Sequence, residues 1–362
     1  MANRRVAILG TRGIPAHYGG FETFAEELST RLAARGHSVT VYCRERYAQP
    51  VYRGVALVYL PTWRHKYFDT IVHTFFSTVY LIFHRVDVAL YCNGANALFT
   101  LAPRVFGMPT LLNVDGLERK RKKWNRLAKA WYAVSEWLAT FCPSVVITDA
   151  RQIEVYYLTR FGKRTQFIPY GAETGKLGTA EVLGQLGLDR GGYFLYVSRM
   201  EPENNALLVR QAFERLAGSV KLALIGDAPY AQEYIERVRD THDARVVMPG
   251  AIYGTGYHEL LSHCLAYIHA TEVGGTHPAL IEAMGRGALV LYLNTAENAE
   301  VAGGVGIPFE AASLQQKLEE VLRMSSEERA AWGRRAEQRV AERYGWDAVT
   351  DRYEELLTGP SA

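Results

Sequence analysis

The sequence has few cysteines and lacks long apolar runs. Only four cysteines occur in 362 residues, and none forms a C-x-x-C motif. A disulfide framework or a cysteine-bound zinc site is therefore not expected, and a reducing compartment fits. No stretch of about 18 uncharged apolar residues is present, so no bilayer-spanning segment is predicted. The N-terminus has only four apolar residues before Gly10, which suits a strand better than a signal peptide.

A strong overall charge is also missing. The net charge is +3, with 48% hydrophobic and 22% charged residues. These values are typical of a globular protein and disfavour a nucleic-acid polycation, so nucleic acid is not a predicted partner. A chain of this length suits two domains. The lysines that do occur are concentrated locally, at Lys120, Lys122, Lys123 and Lys129.

Short apolar segments alternate with helical periodicity in two successive series. The first series starts at residues 6–9, and the second starts at residues 193–199 after a Gly-, Thr- and Glu-rich stretch (171–191) that is interpreted as a linker. This alternation predicts an α/β fold with a doubly wound parallel sheet in each half. Ligand sites of such sheets lie at the carboxyl ends of the strands, and two halves would place them along a cleft.

The loop after the first strand lacks the dinucleotide fingerprint. Arg12 and Pro15 follow Gly10 where G-x-G-x-x-G would require glycines, which argues against a nicotinamide cofactor. Gly19-Gly20 instead precede a helix, where exposed N–H groups can hold an anion. An ordinary strand-to-helix turn is the alternative.

Two later segments carry the clearest chemistry. In ATEVGGTHPALIEAMGRG (270–287), Pro278 opens a helix behind a glycine loop, with Thr276 or His277 as the predicted N-cap. Glu282 is an unusual charge on an otherwise apolar helix, and it is placed to accept hydrogen bonds from a ribose diol. In VSRMEPENNAL (197–207), Arg199 ends a strand and can bind phosphate oxygens, although a surface arginine is the alternative.

These motifs together resemble the nucleotide-sugar glycosyltransferases of family 4, which have the GT-B fold. The segments TRGIPAHYGGFET, VDGLERKRKKW, SRMEPENN and VGGTHPALIEAMG are most similar to the bacterial β-1,4-rhamnosyltransferase subgroup of polysaccharide assembly. The resemblance implies an N-terminal acceptor-side domain over 1–172 and a nucleotide-sugar-binding domain over 173–340. It also implies that a C-terminal helix over 341–362 crosses back to the N-terminal domain.

The resemblance also assigns site residues. Arg199 would bind the donor diphosphate and Glu282 the ribose, and Asn204 lies within the same donor-binding set. The remaining donor contacts implied are Gly275 and Thr276 at the phosphates or sugar, Gly19 and Gly20 on the phosphate side, and Ile252 and Tyr253 at the nucleobase. His17, Asp115 and Glu272 are the candidates for positions near the reacting sugar.

Two positions depart from the family pattern. Asn204 stands where many relatives carry a lysine, and Gly274 stands eight residues before Glu282, where relatives carry a glutamate. Glu272 could replace that glutamate only if the loop bulges. Both departures are typical of the rhamnosyl subgroup.

The resemblance implies a retaining reaction that needs no cofactor or metal ion, and no D-x-D motif occurs. The expected donor is dTDP-rhamnose, and the expected acceptor is a saccharide or a lipid-diphosphate-linked saccharide. Three alternatives stay open: a UDP- or GDP-sugar donor, a nucleotide-sugar 2-epimerase, and a non-catalytic glycan- or lipid-binding protein.

Basic and aromatic residues are combined in 117–141 and in 63–85. This combination suits an anionic membrane surface or a lipid diphosphate, so a cytoplasmic enzyme at the inner face of the plasma membrane is expected. Ordinary core helices with solvated charges are the alternative. The residues predicted to contact acceptor or membrane are Arg119, Lys120, Arg121, Lys122, Lys123 and Trp124.

Overall fold

The computed structural model describes residues 3–17, 19–65, 68–121, 124–228 and 231–359. The chain divides into two compact units. Unit 1 runs to Tyr170 and includes the segment that begins at Trp346, whereas unit 2 spans Gly171–Gly345.

Unit 1 is built around one sheet, whose strand order is β3-β4-β2-β1-β5-β6-β7-β8. The strands are β1 Arg5–Leu9, β2 Ser38–Cys43, β3 Val51–Tyr52, β4 Val55–Tyr59, β5 Val88–Cys92, β6 Thr110–Asn113, β7 Val145–Thr148 and β8 Gln166–Phe167. Neighbouring strands are parallel except for β3, which pairs with β4 in an antiparallel hairpin. The sequence interpretation did not include this short edge strand.

The helices of unit 1 alternate with the strands along the chain, as expected for a doubly wound sheet. They are α1 Gly20–Ala34, α2 Asp69–Phe83, α3 Leu101–Val105, α4 Arg126–Leu138 and α5 Arg151–Phe161, with 3₁₀ turns at Gly94–Thr100 and Glu118–Lys120. The periodic apolar face of α1 is buried through Phe24, Leu28 and Leu32. Gly36 follows this helix at a φ of 95°, a left-handed conformation that glycine adopts without strain.

Unit 2 has a wholly parallel sheet with strand order β11-β10-β9-β12-β13-β14. The strands are β9 Tyr193–Val197, β10 Lys221–Ile225, β11 Val246–Gly250, β12 Ala266–His269, β13 Val290–Leu293 and β14 Ile307–Phe309. The helices are α6 Glu181–Gln185, α7 Ala206–Glu214, α8 Gln232–Arg239, α9 Gly254–His263, α10 Pro278–Gly285, α11 Ala296–Ala302, α12 Leu314–Arg323 and α13 Ser326–Arg343. The expected linker 171–191 is thus wrong in part, because α6 lies within it and buries Val182 and Leu183.

The last helix, α14 Trp346–Thr358, belongs to unit 1. One apolar face of this helix is buried, through Trp346, Val349, Tyr353 and Leu357. The carboxylate of Glu354 on the same helix accepts hydrogen bonds from His37 Nε2 at 2.9 Å and from Arg35 at 2.6 Å. The C-terminal helix is therefore fastened to the first helix and its following turn by both apolar and polar contacts.

Candidate functional site

In unit 2, Arg199 follows the buried strand β9 and is partly exposed. Its guanidinium group makes no hydrogen bond or ion pair with the residues that the structure describes. Asn204 supports the backbone of the same turn: its Nδ2 donates to the carbonyl oxygen of Arg199 at 2.7 Å, and its own carbonyl accepts from the Tyr196 hydroxyl. A charged guanidinium at the end of a sheet strand is well suited to phosphate oxygens.

The turn that contains Asn204 is joined to the loop that follows β12. The backbone N–H of Glu272 donates to the carbonyl oxygen of Glu203 at 3.0 Å. Asn205 Nδ2 donates to Ala270 O at 2.9 Å and to Glu272 Oε1 at 3.1 Å. Asn205 has a left-handed backbone (φ 60°), which asparagine tolerates better than most residues. Glu272 is thereby placed beside the turn of Arg199.

Helix α10 begins as the sequence predicts, with Pro278 in its first turn. The N-cap residue is His277, whose side chain forms no capping hydrogen bond with the described backbone. Glu282 is half-buried in α10 and its Oε2 accepts a hydrogen bond from the Tyr257 hydroxyl at 2.6 Å. Burial and the nearby Glu282 carboxylate raise the pKa of Tyr257 well above its usual value, so this hydroxyl stays a donor. Glu282 is therefore held in a defined position.

The glycine loop before α10 is closely packed. A Cβ atom at Gly274 would lie 2.4 Å from Cε1 of His277, and residues Gly275, Thr276 and His277 are all buried. A larger residue at position 274 would therefore require the His277 ring to shift.

The two predicted nucleobase residues lie in the loop between β11 and α9. Tyr253 immediately precedes α9, and 49% of its surface is exposed, whereas Ile252 is half-buried. An exposed aromatic side chain can stack on a base.

Three residues that the sequence interpretation missed are buried near the same strand ends. Glu203 is fully buried and neither of its carboxylate oxygens has a hydrogen-bond partner among the described residues. His269 Nε2 and Asn298 Oδ1 are buried and unpartnered in the same way. Burial lowers the pKa of His269 to about 3. For Glu203, the available sequence signal was its place within the P-E-N-N turn. A carboxylate that is buried in such a turn requires a partner, which marks it as a candidate site residue.

In unit 1, the loop between β1 and α1 is held by a glutamate that sequence reasoning also missed. Glu22 is buried in the first turn of α1, and its Oε1 accepts a hydrogen bond from the backbone N–H of Arg12 at 3.0 Å. Gly19 is the N-cap residue, and Gly20 begins the helix. His17 lies exposed in the same loop.

Asp115 lies in the loop after β6 and lines a small cavity with Gly94, Glu118 and Tyr132. Its backbone is left-handed, with a φ of 58°. The N–H of Asp115 donates to Asn113 Oδ1 at 3.0 Å, and its own Oδ1 accepts a hydrogen bond from the Tyr170 hydroxyl at 3.3 Å. The structure therefore gives Asp115 a defined geometry within unit 1.

Two arginines of the predicted acceptor or membrane segment form ion pairs within unit 1. The Arg119 side chain donates to Glu136 at 3.0 Å and to the Tyr156 hydroxyl. The segment turns inward again at Arg121, which is buried and paired with Glu118, and Trp124 Nε1 donates to the same glutamate. Arg119 and Arg121 are thus paired with the carboxylates of Glu136 and Glu118, and their predicted contact with acceptor or membrane stays a prediction. Lys120 is exposed.

The other two residues of that segment, Lys122 and Lys123, lie outside the described residues. Within the described ranges, no group of three or more His, Cys, Asp or Glu side chains is arranged to bind a metal ion. A search of the same ranges finds no helix of the length and hydropathy needed to cross a bilayer.

Comparison with known families accounts for both units. Residues 18–176 match the model of Glycosyltransferase Family 4, and residues 184–339 match that of Glycosyl transferases group 1. Together these matches cover most of the chain. The chain is a glycosyltransferase. The family match favours this activity over the epimerase and non-catalytic alternatives.

Solved structures show that this glycosyltransferase has the predicted GT-B fold. Anabaena Alr3699/HepE in complex with UDP-glucose superposes with a TM-score of 0.82 at 16% identity, covering 99% of this chain and 100% of that one. WaaG, a glycosyltransferase involved in lipopolysaccharide biosynthesis, gives a TM-score of 0.75 at 17% identity, with 98% and 100% covered. Sucrose-phosphate synthase from Thermosynechococcus elongatus gives 0.75 at 19% identity, with 98% of both chains covered. No curated protein sequence matches the glycosyltransferase.

Proposed function

We propose that this glycosyltransferase transfers L-rhamnose from dTDP-rhamnose, with retention and without a metal ion, to a saccharide or lipid-diphosphate-linked saccharide. The observation that carries the proposal is the arrangement at one edge of the unit 2 sheet. Arg199 presents a guanidinium group without a described partner, and Glu282 presents a carboxylate held by Tyr257. Phosphate oxygens and ribose hydroxyls are the matching chemical groups.

The proposed reaction breaks the bond between the anomeric carbon and the diphosphate oxygen. Arg199 and the N-terminus of α10 would stabilise the charge that develops on the diphosphate. The acceptor hydroxyl would attack from the same face, form the new glycosidic bond and pass its proton to the departing phosphate oxygen. The reaction needs no side-chain nucleophile, and Asp115, Glu272 and His17 are proposed as contacts of the sugar or acceptor.

A UDP-sugar is the competing donor, because the similar structure of HepE was obtained with UDP-glucose. Thermal unfolding with dTDP, UDP, GDP and dTDP-rhamnose, without added metal, separates the donors. A ligand at 100 times its dissociation constant stabilises the folded protein by about 2.7 kcal/mol. A shift with dTDP and dTDP-rhamnose alone supports the proposal, a shift with UDP or GDP replaces the donor, and the absence of any shift contradicts nucleotide-sugar binding.

We also propose that unit 1 contacts an anionic membrane at the inner face of the plasma membrane, through an apolar surface rather than the basic segment first expected. This surface contains the exposed aromatic side chains Phe83, Phe106 and Phe141, which lie at the ends of α2, α3 and α4. Hydrogen bonds join the three ends: Arg85 donates to Phe106 O at 2.5 Å, and Arg104 donates to Phe141 O at 2.6 Å.

The charge at this surface suits an anionic bilayer. Arg85 and Arg104 are exposed beside the aromatic side chains, and residues 70–86 and 94–113 contain no aspartate or glutamate. Exposed aromatics beside arginines are typical of peripheral membrane contacts.

Co-sedimentation with phosphatidylglycerol vesicles tests the membrane proposal. The double variant Phe83→Asp/Phe106→Asp should lose most binding, and Val155→Asp, at an exposed apolar position on α5, should retain it. Equal binding by both variants would contradict the assignment of this surface.

A further inference from the structure

A continuous chain of hydrogen bonds connects the C-terminal helix to Asp115. The Tyr353 hydroxyl on α14 accepts a hydrogen bond from Asn113 Nδ2 at 2.8 Å. Asn113 in turn uses its Oδ1 to accept the backbone N–H of Asp115 at 3.0 Å. On the other side, the Tyr170 hydroxyl donates to the carboxylate of Asp115 at 3.3 Å. The backbone and the side chain of Asp115 are thus each held by a separate partner.

Asp115 needs such support because its backbone is left-handed, with a φ of 58°. An L-residue with a side chain adopts this conformation at a cost, and it persists where neighbouring groups determine it. The amide of Asn113 provides one of these constraints at the backbone. Because the amide can rotate only if its Nδ2 loses its partner, the Tyr353 hydroxyl fixes the orientation of Oδ1.

The hydrogen bond between Asn113 and the Tyr353 hydroxyl lies in the buried interior of unit 1. Tyr353 and Asn113 are completely buried, and Tyr170 is nearly so. The Phe24 ring packs between the two tyrosines, with centroid distances of 5.3 Å to Tyr170 and 5.2 Å to Tyr353. Loss of the Tyr353 hydroxyl would therefore leave a buried amide donor unpaired.

We infer that Tyr353 is a positioning residue for Asp115, and that the C-terminal helix is a working part of the acceptor-side machinery. The inference rests on the proposed function, in which Asp115 contacts the reacting sugar or the acceptor. Tyr353 itself contacts neither, and it acts only through the Asn113 amide. Tyr170 supports the same aspartate from its carboxylate side.

The test compares two tyrosine-to-phenylalanine changes in unit 1. Tyr353→Phe removes the hydroxyl that orients Asn113. Tyr91→Phe is the matched control, since Tyr91 is also fully buried and its hydroxyl forms a hydrogen bond with Thr78 Oγ1 at 3.0 Å. Both variants should lose similar thermal stability. Only Tyr353→Phe should lower kcat, by about tenfold and with little change in donor KM, for nucleotide release from dTDP-rhamnose or UDP-glucose, whichever the wild type hydrolyses.

A double-mutant cycle with Asp115→Ala decides whether the effect passes through Asp115. If it does, Tyr353→Phe should cause no further loss of kcat in the Asp115→Ala background. Additive losses, or equal losses in Tyr353→Phe and Tyr91→Phe, would overturn the inference. Wild-type activity in an Asp115→Ala variant would overturn it as well. Failure of the wild type to bind or hydrolyse any nucleotide-sugar would instead contradict the proposed function.

Discussion

Units 1 and 2 share a mostly parallel α/β architecture, but the polar groups around Asp115 in unit 1 and those around Glu203 in unit 2 differ in their hydrogen bonding. In unit 1, Asn113, Asp115, Tyr170 and Tyr353 satisfy one another through hydrogen bonds. In unit 2, the buried Glu203 carboxylate has no hydrogen-bond partner among the described residues, although its backbone carbonyl is bonded. The network around Asp115 is therefore preorganised by hydrogen bonds within unit 1.

The polar side chains near the strand ends of unit 2 affect stability differently, as Glu203, His269 and Asn298 show. An unpartnered buried carboxylate, histidine nitrogen and amide oxygen each reduce the stability of the fold. Such a cost is consistent with a ligand-binding edge, where stability is given up for function. The comparison predicts that substitutions in the hydrogen-bonded network around Asp115 lower the free energy of unfolding, whereas a neutral side chain at position 203 raises it.

The largest effect is expected at Arg199. Arg199→Ala should lower kcat/KM for the nucleotide-sugar by about 100-fold or more, because it removes the charge that stabilises the departing diphosphate. The kcat/KM of Arg199→Lys should lie between the values of the wild type and Arg199→Ala, because lysine lacks the bidentate geometry of arginine. Steady-state kinetics measure the change, and Arg323→Ala, an exposed ion-pair residue on α12, is the control. Wild-type kinetics in Arg199→Ala would remove the donor assignment.

A substitution at Gly274 tests how closely the donor loop is packed. Gly274→Ala should lower the free energy of unfolding by about 1–3 kcal/mol, because its Cβ would overlap the His277 ring. The double variant Gly274→Ala/His277→Ala should lose less than the sum of the single changes. Gly178→Ala is the control, as no heavy atom lies within 4 Å of its added Cβ. Urea unfolding measures these free energies. Equal changes in the free energy of unfolding for Gly274→Ala and Gly178→Ala would contradict the packing argument.

The attachment of the C-terminal helix should depend on pH. Hydrogen bonds from His37 and Arg35 lower the pKa of Glu354. A lowered pKa in the folded state contributes stability above the ordinary carboxyl pKa of about 4.5, and this contribution is lost as the pH falls through the lowered value. Glu354→Gln should therefore destabilise unit 1 by about 1.5 kcal/mol at pH 7.

The difference between wild type and Glu354→Gln should shrink as the pH falls through the lowered pKa of Glu354, because its carboxyl group then becomes neutral. Thermal unfolding across this range measures it. Glu355→Gln, at an exposed position on the same helix, should show no such dependence. A pH-independent loss in Glu354→Gln would mean that packing, and not charge, carries the contact.

The smallest effect has the opposite sign. Glu203→Gln should raise the free energy of unfolding by about 1 kcal/mol, because a neutral amide is cheaper to bury than an unpartnered carboxylate. Glu259→Gln should lower stability, since Glu259 is also buried but accepts the Val182 N–H at 2.9 Å. Loss of stability in both variants would remove the contrast between paired and unpaired carboxylates.

Local sequence signals predicted much of the fold. Apolar periodicity located the sheets, Gly36 marked the end of α1, and Pro278 marked the start of α10. These features depend on neighbours within a few residues, which a single sequence displays directly. The short helix α6 was not predicted, because the composition of the stretch around it (171–191) resembles that of a loop.

The site was less predictable because its contacts join distant segments. Arg119 looked solvent-facing until Glu136 and Tyr156 from later helices were placed beside it. The link between Glu203 and Glu272 likewise joins loops after different strands. The roles of Arg199 and Glu282 were inferred from residue type and resemblance, and they stay predictions.

Unit 1 is assembled from two separate stretches of the chain, since α14 returns to it after all of unit 2. During synthesis, the N-terminal residues of unit 1 therefore emerge first, and unit 1 is complete only after α14 has been synthesised. Tyr353 reaches Asn113 only at that point. A prematurely terminated chain would thus lack the tyrosine hydroxyl that orients Asn113, and we expect Asp115 to be less ordered in it.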